Sequence, residues 1–228
     1  MKKILNLDKI QEAKVNKTYF PFFSVTNSFI DNEISKRLTK DFPNISTGGS
    51  FPIEGLKSGA SFVQLVEELK GNELRSLLEK KFEVNLLNKP VVTTVRGISR
   101  SKDGRIHSDS KTKVITLLIY LNEEWNHESG LLRLLRNPKD IEDYFLEIPA
   151  SMGSMIAFKV DQNCWHGYRP FEGKRLSIQL NYLYQGFLSK HNMRHKLSAL
   201  FKKIPNILNI FLNRALSLCL ELCLERNP

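Results

Sequence analysis

The chain has 228 residues, and its 34 Lys and Arg outnumber its 24 Asp and Glu, which gives a formal net charge of +10. A chain of this length buries one sizeable core, so we expect one catalytic domain with short additions. The positive charge favours anionic partners such as nucleic acid, acidic glycans or anionic lipid surfaces. Three scattered cysteines indicate neither a disulfide framework nor a structural zinc site, and the amino-terminal apolar run is too short for a signal peptide. We therefore expect a cytoplasmic protein.

The first ninety residues are predicted to form helices joined by one long loop. Helical periodicity indicates a short amphipathic helix within residues 1–16, a second helix within 27–42 and a third over 61–81. Residues 43–59 contain four glycines and two prolines, a composition typical of a loop. Long loops in compact domains often cover a binding site, so this loop is a candidate lid.

Short β-rich segments begin after Pro90. The predicted strands cover residues 91–95, 114–121, 131–135, 144–148, 154–160 and 176–184. Turn sequences such as Asp103-Gly104 and Asn137-Pro138 separate them. Many short strands with this spacing indicate a β-sandwich or jelly roll, so the fold class is mainly β with flanking helices (α+β).

The last forty residues are predicted to be a helical tail, 189–228, outside a domain of residues 1–188. The tail begins with a basic segment and continues, beyond Pro205, with an apolar helix over 207–224. Asn209, Asn213, Ser217 and Glu221 form a polar stripe with a spacing of four residues. This stripe argues against a lone membrane span. Basic and apolar segments together suit an interfacial helix on the inner face of an anionic membrane, while packing of residues 205–228 on the domain or in a dimer fits equally well.

His107, Asp109 and His166 form a candidate metal site. Residues two apart in a strand share a face, so His107 and Asp109 can reach one ion, and the strands of a jelly roll can bring His166 beside them. Two imidazoles and one carboxylate leave open positions on an octahedral ion, the arrangement of non-haem Fe(II) oxygenases. The alternatives are three polar residues with no shared role, or a zinc hydrolase.

The predicted strand after Arg175 has one polar and one apolar face. Arg175, Ser177, Gln179 and Asn181 alternate with Leu176, Ile178, Leu180 and Tyr182. A guanidinium fork matches a carboxylate, and a hydroxyl two residues later can add a hydrogen bond. We therefore expect Arg175 and Ser177 to hold the distal carboxylate of 2-oxoglutarate. Tyr120 and Thr116, inward on the 114–121 strand, are expected to assist, although residue type alone fits an ordinary core tyrosine equally well.

Residues 91–185 resemble the Fe(II)- and 2-oxoglutarate-dependent dioxygenases of the prolyl-hydroxylase-like branch. The matching pieces, in order, are His107-Ser108-Asp109, Tyr120-Leu121-Asn122 with Trp125, Gly130-Leu131-Leu132-Arg133-Leu134, Pro149 followed by Gly153 and Phe158, His166, and Arg175-Leu176-Ser177. The resemblance implies a cupin-like double-stranded β-helix over about 91–185, with Fe(II) on the His-Asp-His set and 2-oxoglutarate on Arg175 and Tyr120. It also implies hydroxylation with 2-oxoglutarate and O2 as cosubstrates, releasing succinate and CO2.

The substrate is not readable from the sequence: a glycan, a lipid-linked sugar, a small molecule and a protein side chain all fit. Arg96, Arg133 and Lys111 are candidate contacts for an anionic substrate, although solvated basic side chains are the simpler explanation. An inactive β-helix module that binds membranes or polyanions is the alternative from another class. A nucleic-acid dealkylating oxygenase fits the positive charge, but the strand lacks the additional arginine such enzymes usually carry after the position of Arg175.

Overall fold

The computed structural model describes residues 2–187, which contain four helices and nine strands. The helices are α1 (Leu7–Glu12), α2 (Asn32–Asp41), α3 (Ala60–Lys70) and α4 (Asn72–Phe82). The strands are β1 (Phe22–Val25), β2 (Phe51–Pro52), β3 (Val91–Ser99), β4 (Lys113–Tyr120), β5 (Leu132–Leu135), β6 (Tyr144–Ile148), β7 (Met155–Lys159), β8 (His166–Gly167) and β9 (Gly173–Leu183). Their antiparallel pairs form a six-stranded sheet, β1-β7-β4-β9-β3-β2, and a three-stranded sheet, β6-β5-β8.

The helices cover one face of the larger sheet. Strand β9 alternates in the way its sequence predicts: Leu176, Ile178, Leu180 and Tyr182 are buried with apolar residues of the helices. Leu65 and Leu69 of α3, together with Leu74 and Leu78 of α4, belong to the same core. This core fixes the larger sheet as a rigid support.

The opposite face of the larger sheet meets the smaller sheet. A second apolar cluster joins Phe158 and Tyr120 of the larger sheet to Leu134 and Ile148 of the smaller one. The polar side of β9 faces this inter-sheet space, where Arg175 and Ser177 are buried. The described residues thus have the predicted mainly β, jelly-roll architecture with flanking helices.

The helix boundaries differ from the sequence prediction. The helix predicted over 61–81 is two helices, because the backbone is extended at Gly71 (φ −68°, ψ 158°), where α3 ends and α4 begins. The helix predicted within 27–42 begins only at residue 32, after Asp31 accepts a hydrogen bond from the Ile34 amide (3.0 Å). The preceding residues pair instead with the amino-terminal segment, since the Ile30 amide donates to the Ile4 carbonyl (2.9 Å).

All six predicted strands are present, and three short ones, β1, β2 and β8, were missed. Strand β2 lies inside the predicted loop 43–59 and pairs with β3. Strand β8, which contains His166, is only two residues long, and a strand of this length has no periodic pattern that could predict it.

The predicted division into a domain 1–188 and a tail 189–228 stays a prediction, because the tail lies outside the described residues. Within residues 2–187 the helices have 6 to 11 residues, and none is long and apolar enough to cross a bilayer.

Candidate metal and cosubstrate site

His107, Asp109 and His166 come together at one end of the inter-sheet space. His107 and His166 form an antiparallel backbone pair, with N···O distances of 3.0 and 2.9 Å. Their ring centroids are 4.3 Å apart, and one candidate ligand atom from each of the three residues lies within 4.8 Å of the others. His107 is exposed whereas His166 is buried, so the cluster opens to solvent on one side. The three residues are spaced to share one ion.

Backbone carbonyls set the orientation of both imidazoles. His107 Nδ1 lies 2.8 Å from the Arg105 carbonyl oxygen, and His166 Nδ1 lies 2.8 Å from the Cys164 carbonyl oxygen. A carbonyl only accepts hydrogen bonds, so each neutral ring carries its proton on Nδ1 and leaves the Nε2 lone pair free. Both rings are therefore oriented to offer Nε2 to a metal.

Asp109 is held by two side chains of β4. Lys113 Nζ donates to Asp109 Oδ1 (2.7 Å), and the Thr116 hydroxyl donates to Oδ2. Burial raises the pKa of Asp109, but the Lys113 charge, the neighbouring His166 and these hydrogen bonds outweigh burial and lower it to about 2. The carboxylate is therefore ionised and fixed in position at neutral pH.

His166 is held in its neutral form. Burial, with the nearby His107 ring as the next contribution, lowers the pKa of His166 to about 4. A neutral imidazole and an ionised carboxylate are the protonation states that a divalent cation requires of its ligands. Two nitrogens and one carboxylate fit Fe(II), and they leave coordination positions for other ligands.

Arg175 lies on the inter-sheet face of the larger sheet and is 3% exposed. Its Nε donates to the Gly130 carbonyl (2.8 Å), its Nη2 donates to Tyr120 Oη (2.8 Å), and its Cζ lies 4.0 Å from the centroid of the Tyr168 ring. Among the described residues no carboxylate pairs with Arg175. A buried cation with only neutral partners is costly unless an anion joins it, so this guanidinium is a candidate carboxylate-binding group.

Tyr120 and Ser177 lie beside Arg175, as predicted, while Thr116 does not. Tyr120 and Ser177 are direct partners across β4 and β9, and both are buried. Thr116 pairs instead with Asn181. Four residues along an antiparallel strand separate Thr116 from Tyr120 by about 13 Å. Thr116 therefore lies at the metal end, where its hydroxyl donates to Asp109, and its predicted cosubstrate role stays a prediction.

The three predicted substrate residues have different surroundings. Arg133 is buried, and its guanidinium pairs with Glu147 (2.6 Å) and Glu142 (2.8 Å). Its neighbours Leu132 and Leu134 face the inter-sheet core, so Arg133 faces away from the inter-sheet space, and its predicted substrate role stays a prediction. Lys111 is exposed in the turn before β4, and Arg96 is half-buried beside Ser177.

Sequence reasoning missed Lys113, Tyr168 and the Gly130 carbonyl. Lys113 lies four residues after Asp109, and the turn at 110–112 brings the two together. Gly130 has a φ of +77°, and a Cβ there would lie 2.7 Å from Trp125 Cζ2. A glycine between the predicted strands was the available signal for this tight approach.

Comparisons with known proteins found a family match and similar solved structures. Residues 97–183 match the family model described as the 2OG-Fe(II) oxygenase superfamily. A prolyl-4-hydroxylase from Pseudomonas putida aligns with a TM-score of 0.53 at 15% identity, covering 79% of this chain and 97% of that one. HygX from Streptomyces hygroscopicus, solved with iron bound, aligns with a TM-score of 0.49 at 12% identity, covering 74% of this chain and 84% of that one. No curated protein sequence matches the chain.

The family match includes all three candidate ligands and Arg175, and the first of these alignments extends the likeness in fold beyond the matched segment. The protein is an oxygenase, an enzyme that uses Fe(II), 2-oxoglutarate and O2. Residues 97–183 thus match the 2OG-Fe(II) oxygenase superfamily, and the described residues share their fold with the prolyl-4-hydroxylase from Pseudomonas putida.

Proposed function

We propose that His107, Asp109 and His166 bind Fe(II), that Arg175 and Tyr120 bind the distal carboxylate of 2-oxoglutarate, and that the protein hydroxylates an organic substrate. The observation that carries this proposal is the buried Arg175, which has neutral partners only and faces the inter-sheet space at whose end the ligand cluster lies. A bound dicarboxylate would reach from the metal to this guanidinium.

Each of these residues has a defined task. Lys113 and Thr116 hold both oxygens of Asp109, which prevents rotation of the carboxylate. Tyr120 Oη accepts from Arg175, so its own proton remains free to donate to the cosubstrate. Ser177, its partner across β4 and β9, offers a second hydroxyl. With Fe(II) bound, the oxidation of 2-oxoglutarate to succinate and CO2 by O2 supplies the chemistry that inserts one oxygen atom into a C–H bond.

The test is binding followed by turnover. We expect anaerobic addition of Fe(II) and 2-oxoglutarate to produce a visible charge-transfer band, and air to give succinate in an iron-dependent way. His166→Ala should abolish both signals because it removes a ligand. His127→Ala is the matched control, since His127 is an exposed histidine outside the cluster.

The result also separates the alternatives. A zinc hydrolase or an inactive binding module would bind metal or polyanions without a charge-transfer band and without succinate. Absence of the band in the wild-type protein, under conditions in which Fe(II) is bound, would remove the basis of the oxygenase mechanism at this site.

We also propose a cytoplasmic location, with the tail on the inner face of a membrane. The free, buried Cys164 and the sparse cysteines suit a reducing compartment. Flotation with anionic liposomes, for the chain with and without residues 205–228, tests the tail. We expect flotation only with the tail present, and equal behaviour would refute the membrane contact.

A further inference from the structure

Arg96 of β3 lies on the site face of the larger sheet. It pairs with Ser177 of β9, which pairs in turn with Tyr120 of β4. Its neighbour Val95 belongs to the helix-side core, so strand alternation directs Arg96 to the inter-sheet side. Burial raises the pKa of Tyr120, and the charges of both Arg175 and Arg96 oppose that rise. Two guanidinium groups therefore act on one phenol.

Arg96 is half-buried and pairs with Ser177 through the backbone, yet among residues 2–187 its guanidinium has no hydrogen bond and no ion pair. The charge of Arg96 lowers the pKa of Asp103, but Arg100 already holds that carboxylate through Nη2 (2.8 Å) and Nε (3.1 Å). A partly desolvated cation without a partner is unfavourable, and a ligand anion would relieve the cost. Arg96 thus differs from Arg133, whose charge is neutralised by two glutamates.

The cofactors would not neutralise Arg96. The charge of a ferrous ion balances that of the 2-oxoglutarate dianion, and Lys113 already pairs with Asp109 (2.7 Å). The positive charges of Arg175 and Arg96 remain. Because the distal carboxylate of 2-oxoglutarate is assigned to Arg175, Arg96 is left for a different anion. The loaded site is therefore electropositive.

The segment 102–111, which contains two of the candidate metal ligands, adds further positive charge to the site. Lys102, Arg105 and Lys111 are exposed and form no ion pair within the described part of the chain. Charges at the rim of a site raise the rate at which oppositely charged ligands arrive. The segment 102–111 and the inter-sheet face thus both carry unpaired positive charges.

We propose that the primary substrate carries an anionic group, a carboxylate or a phosphoryl group, and that Arg96 binds this group while the substrate lies beside the metal. The inference rests on the proposed function, because it assigns Arg175 to 2-oxoglutarate. Arginine is suited to either group, since its planar fork can donate two parallel hydrogen bonds.

The experiment measures anion binding to the full chain loaded with Mn(II) and saturating 2-oxoglutarate in the absence of O2. Inorganic phosphate and acetate are titrated separately by calorimetry, so that the two probes distinguish a phosphoryl from a carboxylate group. The variants are Arg96→Gln and the matched control Arg37→Gln, which removes an exposed arginine from α2 on the opposite side of the sheet. The affinity of each protein for 2-oxoglutarate is measured in parallel.

We expect at least one probe to bind the wild-type protein, Arg96→Gln to weaken that binding about tenfold or more, and Arg37→Gln to leave it unchanged. The affinity for 2-oxoglutarate should be the same in all three proteins. The proposal is overturned if neither probe binds the wild-type protein, or if each probe that binds it binds Arg96→Gln with the same affinity. It is also overturned if Arg96→Gln no longer binds 2-oxoglutarate. A wild-type protein that fails to bind 2-oxoglutarate would refute the proposed function itself, and this inference with it.

Discussion

The metal end and the cosubstrate end of the site each contain a buried charge, but only one of these charges is neutralised within the protein. At the metal end, Asp109 is neutralised within the protein by Lys113 (2.7 Å). At the cosubstrate end, Arg175 has a carbonyl, a phenol and an aromatic ring around it and no acid among the described residues. One charge is already paired, while the other requires a ligand.

Because of this difference, we expect substitutions at the metal end to affect mainly the stability of the fold, and substitutions at the cosubstrate end to affect mainly ligand binding. Removing one member of a buried ion pair leaves an uncompensated charge and destabilises the fold. Removing a buried cation that has no ionic partner leaves no such charge behind, so the loss falls mainly on the ligand. Lys113 should therefore matter most to the unloaded protein, and Arg175 most to the complex.

The largest expected effect is that of Lys113→Met on stability. This substitution keeps the volume and removes the charge, so Asp109 is left buried without its cation. We expect the free energy of unfolding of the metal-free protein to fall by about 3–5 kcal/mol. Addition of Mn(II) should restore part of the loss because the ion replaces the missing positive charge. Urea unfolding with and without Mn(II) measures both quantities.

Lys111→Met is the control for this prediction. Lys111 lies two residues before Lys113, is exposed and has no ion pair among residues 2–187, so its substitution should change stability by less than about 0.5 kcal/mol. Equal destabilisation by the two variants would show that the ion pair of Asp109 does not support the metal end.

The counterpart at the cosubstrate end is Arg175→Met. We expect the affinity for 2-oxoglutarate to fall by about 2–5 kcal/mol, because the distal carboxylate would lose its charged partner. Stability and Mn(II) affinity should change little. Titration of the Mn(II)-loaded protein with 2-oxoglutarate measures the loss. If the variant unfolds as readily as Lys113→Met, the contrast between the two ends is wrong.

A pH titration separates the two ligands of the metal end. The pKa of His166 is about 4 when folded, below its usual 6.5, so the unfolded chain takes up a proton first as the pH falls. Stability is therefore lost between about pH 6.5 and pH 4, and the pKa of about 2 for Asp109 places its contribution below about pH 4.

We expect the metal-free protein to lose roughly 2 kcal/mol from His166 between pH 7 and pH 5. His166→Gln removes the titrating group and should flatten this part of the curve, as measured by urea unfolding at the two pH values. His127→Gln, at an exposed position, should leave the slope unchanged. A slope that is the same in wild type and His166→Gln would contradict the buried neutral imidazole.

Some of the site was predictable because it lies on a single periodic element. In β9 the alternation of polar Arg175 and Ser177 with apolar Leu176 and Ile178 identifies both faces, and the structure has the same two faces. The ligand set was predicted from the spacing of His107 and Asp109 together with His166, and the structure brings one candidate ligand atom of each within 4.8 Å of the others.

Other features depend on contacts that periodicity does not contain. In β5, two leucines precede Arg133 and two follow it, so apolar residues lie on both faces of the strand. The sequence pattern therefore does not show which face of β5 meets the core. The position of Thr116 depends on the register of β4 against β9, which joins residues 65 apart. The break at Gly71 was hidden because the apolar positions of α3 and α4 continue the same helical spacing across it.

The smallest expected effect on 2-oxoglutarate binding is that of a change at Gly130, whose carbonyl accepts a hydrogen bond from Arg175 Nε (2.8 Å). Its φ is +77°, and an added Cβ would lie 2.7 Å from Trp125 Cζ2 and 3.1 Å from Phe171 Cβ. Gly55 has a similar φ of +83°, with no atom within 4 Å of an added Cβ. Alanine substitutions at these two glycines therefore separate two effects. Both cause backbone strain, but only the substitution at Gly130 also causes a steric clash.

We expect Gly55→Ala to cost about 1 kcal/mol of stability from the left-handed backbone alone, and Gly130→Ala to cost about 1–3 kcal/mol more from overpacking. Only Gly130→Ala should also weaken 2-oxoglutarate binding, because relief of the clash moves the carbonyl that holds Arg175. Unfolding free energies and 2-oxoglutarate affinities of the two variants measure both effects. If the two variants have the same affinity for 2-oxoglutarate, the Gly130 carbonyl does not orient the Arg175 guanidinium. Tyr120 and Tyr168 alone then position the positive charge that binds the cosubstrate.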